Sequence, residues 1–430
     1  MRIADVLFAH GQGAFYNDDQ AAVKNGAARD GLFYTGRPLT PGFSVVRTAA
    51  PVLEIGLAFD SGLVSWGDMM NVQYAAAGGR DRLLDPGALQ ARLEIDLVPS
   101  LIGLDISGFR TVMERLLAGG TRCAALPNSV KYGLSQAVLT AVAAAKRCTP
   151  AEVICVEYGF SPHVRRVPIF CQSGEDRRLN VDKMILRRAD SMPHGLINNL
   201  ALIGDEGTAL AEYVRWVRDR VLRYGKPDYR PILHFDVYGG IGQVFDNHID
   251  RIVSFLRSLE SLAQPFQLRI ESPADLGSGR DQISGLAEIR RRLRQCESGV
   301  QIIADEWCNT LADVEAFVAA GAADLIQLKL PDMGSLHDTL CGIEVCRKGG
   351  IGVYLGGSCT ETDISARISV HVAVAAQVDL MLAKPGMGVD EGYSLTANEQ
   401  SRLMTILRRR AERAVVVCRE EALERTDRWL

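Results

Sequence analysis

Three acids and a lysine stand where they could do chemistry together. Asp236, Glu271 and Asp305 each fall near the end of an apolar run, in PILHFDVY, FQLRIESP and VQIIADEW, and Lys329 follows in the next run, DLIQLKLP. If these runs are strands whose C-terminal ends share one mouth, the three carboxylates lie side by side and repel one another unless a cation sits between them. Oxygen-only ligands favour a hard ion, and Mg²⁺ with open positions for water or substrate fits best. The rival reading makes each acid a cap for the helix that follows. Three successive strands with the acid in the same relative place argue against it. A lysine beside a metal-held carboxylate substrate is placed to remove the proton next to that carboxylate, while the metal stabilises the charge that develops. As a base it must be neutral, and burial and a nearby cation both push a lysine's pKa downward.

The elements that must position these groups read as two regimes. From about residue 165 strands and amphipathic helices alternate. The candidate strands are VPIFCQS, PILHFDVY, FQLRIESP, VQIIADEW, DLIQLKLP, GVYLGGSC and VDLMLAKPG, with a less distinct one near MILRRADSMPHG. Almost every one ends in a polar group: Gln172, Asp236, Glu271, Asp305, Lys329, or Ser358 with Cys359, and His194 falls beside the indistinct strand. About eight such units in roughly 250 residues spell a (β/α)8 barrel of the TIM type, whose active sites gather at the C-terminal strand ends. A doubly wound open sheet is the main rival. In DLIQLKLP, alternation puts Gln327 and Lys329 on one face and Ile326, Leu328 and Leu330 on the other. Before residue 150, FSVVRTAAPVLEIGLAFDSGLVSWGD reads as antiparallel strands with a turn at 60–62, and DPGALQARLEIDLVPSLIG and SVKYGLSQAVLTAVAAAKRC as helices. The expected organisation is an α+β N-terminal domain over 1–160, a barrel over 161–415 and a C-terminal tail over 416–430.

Bulk properties exclude several function classes. Forty-eight basic residues against 52 acidic ones give a net charge of −4, which argues against nucleic acid as a partner. The ten cysteines never form a C-x-x-C pair, so neither a zinc ribbon nor a thioredoxin-type site is expected, and most read as small buried hydrophobes in a reducing compartment. The N-terminus lacks the apolar core of a signal peptide, and no run approaches the roughly 20 apolar residues of a membrane span. A cytoplasmic protein with a small-molecule substrate is expected, without a membrane partner.

The same residues carry a family resemblance. The acids on successive strands followed by Lys329 resemble the enolase superfamily. The strings QSGEDR, KMILRRADSMPHGLINN, HFDVYGGIGQVFD, IADEWCNT, IQLKLPDMGS, GGSCTET and KPGMGVDEG, in this order, resemble the methylaspartate ammonia-lyases, and the likeness extends into the first domain through FYNDDQAAVKNGAARDGLFYTG and VQYAAAGGRD. That resemblance implies an enolase-like barrel under a capping domain, with Asp236, Glu271 and Asp305 as Mg²⁺ ligands. Lys329 is then the base at C3 of (2S,3S)-3-methylaspartate, and His194, on the opposite side, suits the other C3 epimer. Loss of ammonia gives mesaconate. Gln73, Gln172, Gln327, Ser358 and Cys359 hold the substrate's carboxylates and amine, Leu382 packs on its alkyl group, and Gln73 makes the first domain a lid. The resemblance also implies a homodimer with K⁺ as an activator. Leu330, Leu355, Ser358 and Thr360 depart from the family pattern, and Leu330 bears on substrate choice only if it lines the pocket.

Other readings are weaker. Gly239–Gly242 follows a strand but lacks the full dinucleotide fingerprint. Arg290, Arg291 and Arg292 read as a solvated helix face, and Cys359 as a substrate contact rather than a nucleophile, for want of a partner base. Two alternatives to the ammonia-lyase remain: another lyase or racemase of the superfamily acting on a related amino or hydroxy acid, and a barrel that binds without catalysis.

Overall fold

A computed structural model describes residues 1–161 and 165–426, with side chains described to residue 413. The first five strands are β1 (Ile3–Asp18), β2 (Ala28–Asp30), β3 (Phe33–Thr35), β4 (Arg47–Phe59) and β5 (Val64–Met69). β1, β4 and β5 form an antiparallel sheet in that order, and β2 pairs with β3 as a separate hairpin. The β4–β5 turn falls at the expected Asp60–Gly62, where Gly62 adopts a φ of +82°. β1 is an addition to the sequence reading, because its apolar pattern is broken by Gly11 and Gly13. Gly13 has a packing reason: a Cβ there would lie 2.0 Å from the Thr360 carbonyl oxygen, so the strand runs hard against a barrel loop.

Helices Pro86–Asp96, Phe109–Leu117, Asn128–Ala145 and Pro150–Tyr158 complete the N-terminal part. The long one, Asn128–Ala145, is buried nearly all round, since it packs on β4 and β5 and also on helices that follow barrel strands. Its approach to the sheet is set by two facing glycines. A Cβ on Gly67 would sit 2.0 Å from the Gly133 carbonyl oxygen, and one on Gly133 would sit 2.6 Å from Met69.

Eight parallel strands follow: β6 (Ile169–Phe170), β7 (Ser191–His194), β8 (Ile232–Asp236), β9 (Leu268–Glu271), β10 (Gln301–Ala304), β11 (Leu325–Leu328), β12 (Gly352–Leu355) and β13 (Leu380–Leu382). Each pairs with the next, and β13 pairs with β6 through Met381 with Ile169 and Leu382 with Phe170, which closes the barrel and rules out the open sheet. The indistinct second strand is β7. Phe170, Ile303, Leu325, Tyr354, Leu380 and Leu382 fill the barrel interior. Alternate residues, among them Phe235, Ile270, Ile326, Leu328 and Leu355, pack outward against the helices.

Leu330 lies past the end of its strand, at the start of the short helix Leu330–Met333, where it is fully buried in the core outside the barrel and does not line the cavity at the mouth. The backbone of the last helix, Val389–Thr426, runs on through residue 416, where a tail was expected to begin, and residues 427–430 of that tail lie outside the described residues. Gly239 and Gly242 serve close packing rather than a phosphate: Cβ atoms there would lie 2.5 Å from Asp275 and 2.3 Å from Asn247.

Because the Gly67–Gly133 contact has no slack, Gly67→Ala should destabilise the chain by about 1–3 kcal/mol through overpacking. Urea unfolding would show this as a lower midpoint with an unchanged slope. An unchanged midpoint would mean that the helix can move off the sheet without loss.

Candidate active site

Asp236 closes β8, Glu271 closes β9, and Asp305 follows β10 by one residue, all facing inward and all buried. One carboxylate oxygen from each lies within 4.8 Å of the others. None of the three caps a helix. The helices after these strands begin at Gly239, Ser278 and Thr310, and the last two side chains accept the first-turn N–H themselves. Burial first, and then the neighbouring carboxylates, push Asp236 and Glu271 well above the usual carboxylate range. Such a cluster of hard oxygen donors, short of positive charge and held in a small space, fits a divalent ion such as Mg²⁺.

The cluster is oriented from beneath and from the sides. His234, one turn of alternation below Asp236, has its Nε2 2.7 Å from a Glu271 oxygen, with both side chains fully buried. Burial disfavours the charged form of His234, and its Nε2 shares a hydrogen bond with that carboxyl group. Gln327 donates its amide to the other Glu271 oxygen. Arg80, buried in a loop of the N-terminal part, reaches Asp332 at 2.7 Å and Asp305 at 3.3 Å. Neither residue stood out in the sequence. The Gly78-Gly79 turn before Arg80 was the only local signal, and His234 looked like one more residue of a buried strand.

β11 ends at Leu328, and Lys329 turns into the mouth with its Nζ 2.5 Å from Asp305. Burial and Arg80 push its pKa down, as expected, but Asp305, Glu306 and Asp332 outweigh them and hold it above the ordinary lysine value. With no cation on the acids, then, Lys329 is a charged partner of Asp305 rather than a free base. A cation that neutralises the acids removes the influence that holds it up.

His194 reaches the mouth by an unusual route. Met192, two residues earlier, faces the helices, so alternation alone would turn His194 outward as well. A φ of +66° at His194 brings the ring inward instead, a left-handed conformation costing about 1–3 kcal/mol for a residue other than glycine. Its Nδ1 accepts the Leu196 N–H at 3.2 Å, which puts the ring proton on Nε2, 3.4 Å from Asp236. Burial lowers its pKa to about 3, so the ring is neutral. β7 and β11 stand four places apart in the eight-strand ring, so His194 and Lys329 face each other across it.

A small, partly open cavity lies between them. Gln73, Gln172, Gln327, Ser358, Cys359 and Leu382 line it together with His194, Asp236 and Lys329. Glu271 and Asp305 sit just beneath, tied to that lining through Gln327 and Lys329. The N-terminal part contributes Gln73 together with Val72, Tyr74 and Arg80, and the Gln73 amide has a fixed sense. Nε2 donates to Asp18 at 2.9 Å, and Asp18 is itself held by two hydrogen bonds from Arg47, at 2.7 and 2.8 Å. The carbonyl end therefore turns the other way and accepts from the Cys359 thiol at 3.6 Å. Arg47 also pairs with Glu175 at 2.9 Å, on the loop after β6, which pins this part across the mouth. Burial raises the Cys359 thiol, keeping it protonated and unsuited to act as a nucleophile. Arg290, Arg291 and Arg292 lie away from the cavity, on the helix Gly279–Gln295, paired with Asp324, Glu288 and Asp250.

Comparison with known proteins points the same way. The family described as methylaspartate ammonia-lyase N-terminus matches residues 1–159, and methylaspartate ammonia-lyase C-terminus matches residues 162–409. Methylaspartate ammonia-lyase 1 of Carboxydothermus hydrogenoformans is 46% identical over 411 residues, which cover 95% of this chain and 98% of that protein. The crystal structure of the Citrobacter amalonaticus enzyme containing (2S,3S)-3-methylaspartic acid superposes with a TM-score of 0.91 at 44% identity, covering 95% of this chain and 100% of that one. The Mg complex of β-methylaspartase from Clostridium tetanomorphum gives 0.87 at 41% identity, with the same coverage. The chain belongs to the methylaspartate ammonia-lyase family.

Proposed function

We propose that this chain eliminates ammonia from (2S,3S)-3-methylaspartate to give mesaconate, with Mg²⁺ held by Asp236, Glu271 and Asp305. The observation that carries this reading is Lys329 beside Asp305, within a cavity whose amide, hydroxyl and thiol groups come from both parts of the chain. When bound, Mg²⁺ supplies the positive charge that stabilises the negative charge developing on the substrate carboxylate next to C3. Lys329 takes the C3 proton. The electrons of that bond form the C2–C3 double bond, the C2–N bond breaks, and ammonia leaves with its electron pair. Gln73 Oε1 is a pure acceptor and suits the substrate's ammonium group. Gln172 and Gln327 orient the substrate from either side of the mouth, and Ser358 and Cys359 donate to a carboxylate. Leu382, on the inner face of β13, packs on the alkyl group. His194 stands opposite Lys329, where it addresses the other face of C3.

In this reading the N-terminal part, 1–160, is a lid that shuts water out of the barrel. On the family resemblance we also infer a cytoplasmic homodimer stimulated by K⁺. Among the described residues no helix is long and apolar enough to cross a membrane.

Purified protein with Mg²⁺ and 3-methylaspartate should produce the ultraviolet absorbance of a conjugated diacid. Absence of mesaconate, together with failure of the reverse amination, would refute the assignment. Lys329→Ala should lower kcat about 10²- to 10⁴-fold, as expected for loss of a general base, while calorimetry still detects Mg²⁺ binding.

The raised carboxylates also give a pH signature. A carboxyl group whose pKa is higher in the folded than in the unfolded state contributes stability below its unfolded pKa and loses it as pH rises through the folded value. Without metal, therefore, ionisation of Asp236 and Glu271 should erode stability as pH climbs above the ordinary carboxylate range. Mg²⁺ binds only the ionised acids, so the rise in Tm that it causes should grow over the same window. A Mg²⁺-induced shift that is flat with pH would count against these three ligands.

A further inference from the structure

The loop Gly356–Thr362 carries Ser358 and Cys359 to the cavity, and two buried charges hold it from behind. Glu361 is fully buried and both its oxygens are engaged. Oε2 accepts the Ser358 backbone N–H at 2.8 Å and lies 2.8 Å from Lys384 Nζ, while Oε1 accepts the Tyr132 hydroxyl at 2.7 Å. Lys384, two residues past β13 and also fully buried, donates to the Gly356 carbonyl at 2.9 Å. The pair thus clasps the loop at its start and its middle. Neither charge lines the cavity, so neither touches substrate.

A buried ion pair is poor evidence for stability, since its desolvation cost rivals its attraction, and an apolar pair of similar volume often does as well. Its presence here is better explained by what it holds in place. Gly357 supports that explanation independently. With a φ of +152°, a Cβ there would lie 2.1 Å from Glu361 and 2.3 Å from Lys384, so the loop has been fitted around the pair.

The same loop is where the lid meets the barrel. Tyr132 belongs to the lid helix Asn128–Ala145. The Gln73 N–H donates to Ser358 Oγ at 2.9 Å, Thr360 Oγ1 donates to the Asn71 carbonyl at 2.6 Å, and the Ala14 N–H donates to the Glu361 carbonyl at 3.2 Å. Tyr132 and Glu361 thus connect the N-terminal part to the backbone N–H of a cavity-facing serine.

We propose that Tyr132, Glu361 and Lys384 are positioning residues for substrate binding: they set the Ser358–Cys359 loop for the substrate carboxylate and take no part in proton abstraction. The proposal rests on the lyase reading above. The Ser358 hydroxyl stays free to donate into the cavity, because its oxygen already receives the Gln73 N–H.

The test uses Tyr132→Phe, which removes one hydroxyl from a well-packed ring, and the double variant Lys384→Met with Glu361→Gln, which leaves no orphaned charge. Steady-state kinetics with 3-methylaspartate, Mg²⁺ titration by calorimetry, and mesaconate binding by calorimetry in a Lys329→Ala background are measured for each. Tyr132→Phe should raise KM and weaken mesaconate about tenfold, the loss expected when one hydrogen bond to a charged acceptor is removed. Its kcat should stay within about twofold and its Mg²⁺ affinity should be unchanged, as for a loss of uniform binding. The double variant should show the same split, more strongly. Unchanged KM and mesaconate affinity in both variants would overturn the proposal, and so would equal losses in kcat, Mg²⁺ affinity and mesaconate binding, which mark general structural damage. A wild-type chain that neither turns over 3-methylaspartate nor binds mesaconate would overturn the lyase reading itself, and this proposal with it.

Discussion

Electrostatic crowding at the barrel mouth is the constraint on which the rest of this structure depends. Three buried carboxylates share a space less than 5 Å across, where like charges are far more costly than in water. Everything within reach responds to that charge. A neutral histidine and an amide steady Glu271 from below and beside, while a lysine and an arginine lean on Asp305. Lys329 illustrates the point most directly: its own burial would make it a base, and only the acids keep it a cation. In the reading proposed above, the cluster both holds the metal and decides what Lys329 is.

Much of this was legible in the sequence, and the reason is geometric. Parallel strands repeat every second residue, and a barrel gathers their C-terminal ends, so Asp236, Glu271, Asp305, Gln327 and Lys329 could be placed together from alternation alone. Ile326 and Leu328 turned outward by the same rule. Strand ends also mark Gln172, Ser358 and Cys359, whereas Gln73, Leu382 and the substrate roles of the whole list come from the family strings. The structure shows those residues around one cavity, and their roles rest on the proposal above.

What escaped the sequence escaped for physical reasons. His194 could be placed only by resemblance, because its inward turn depends on a positive φ that breaks the alternation. β1 hid behind Gly11 and Gly13, of which Gly13 is there to let the strand's backbone touch a barrel loop. Arg80, His234, Tyr132, Glu361 and Lys384 act on partners 23 to 252 positions away, and the strings that contain four of them do not say which partners they meet. Buried polar networks of this kind are defined only by the fold that closes them.

The fixed sense of the Gln73 amide has a consequence for how such an enzyme can change. The three acids and Lys329 stand at barrel strand ends, whereas Gln73 is aimed from the N-terminal part through Asp18 and Arg47, and Arg80 reaches Asp305 from that same part. A lineage could therefore redraw which amine the cavity welcomes by editing a few positions of the lid, while the charged machinery below is inherited intact. In that reading the amine contact can be edited from the N-terminal part so long as Arg80, which reaches Asp305 from the same part, is kept.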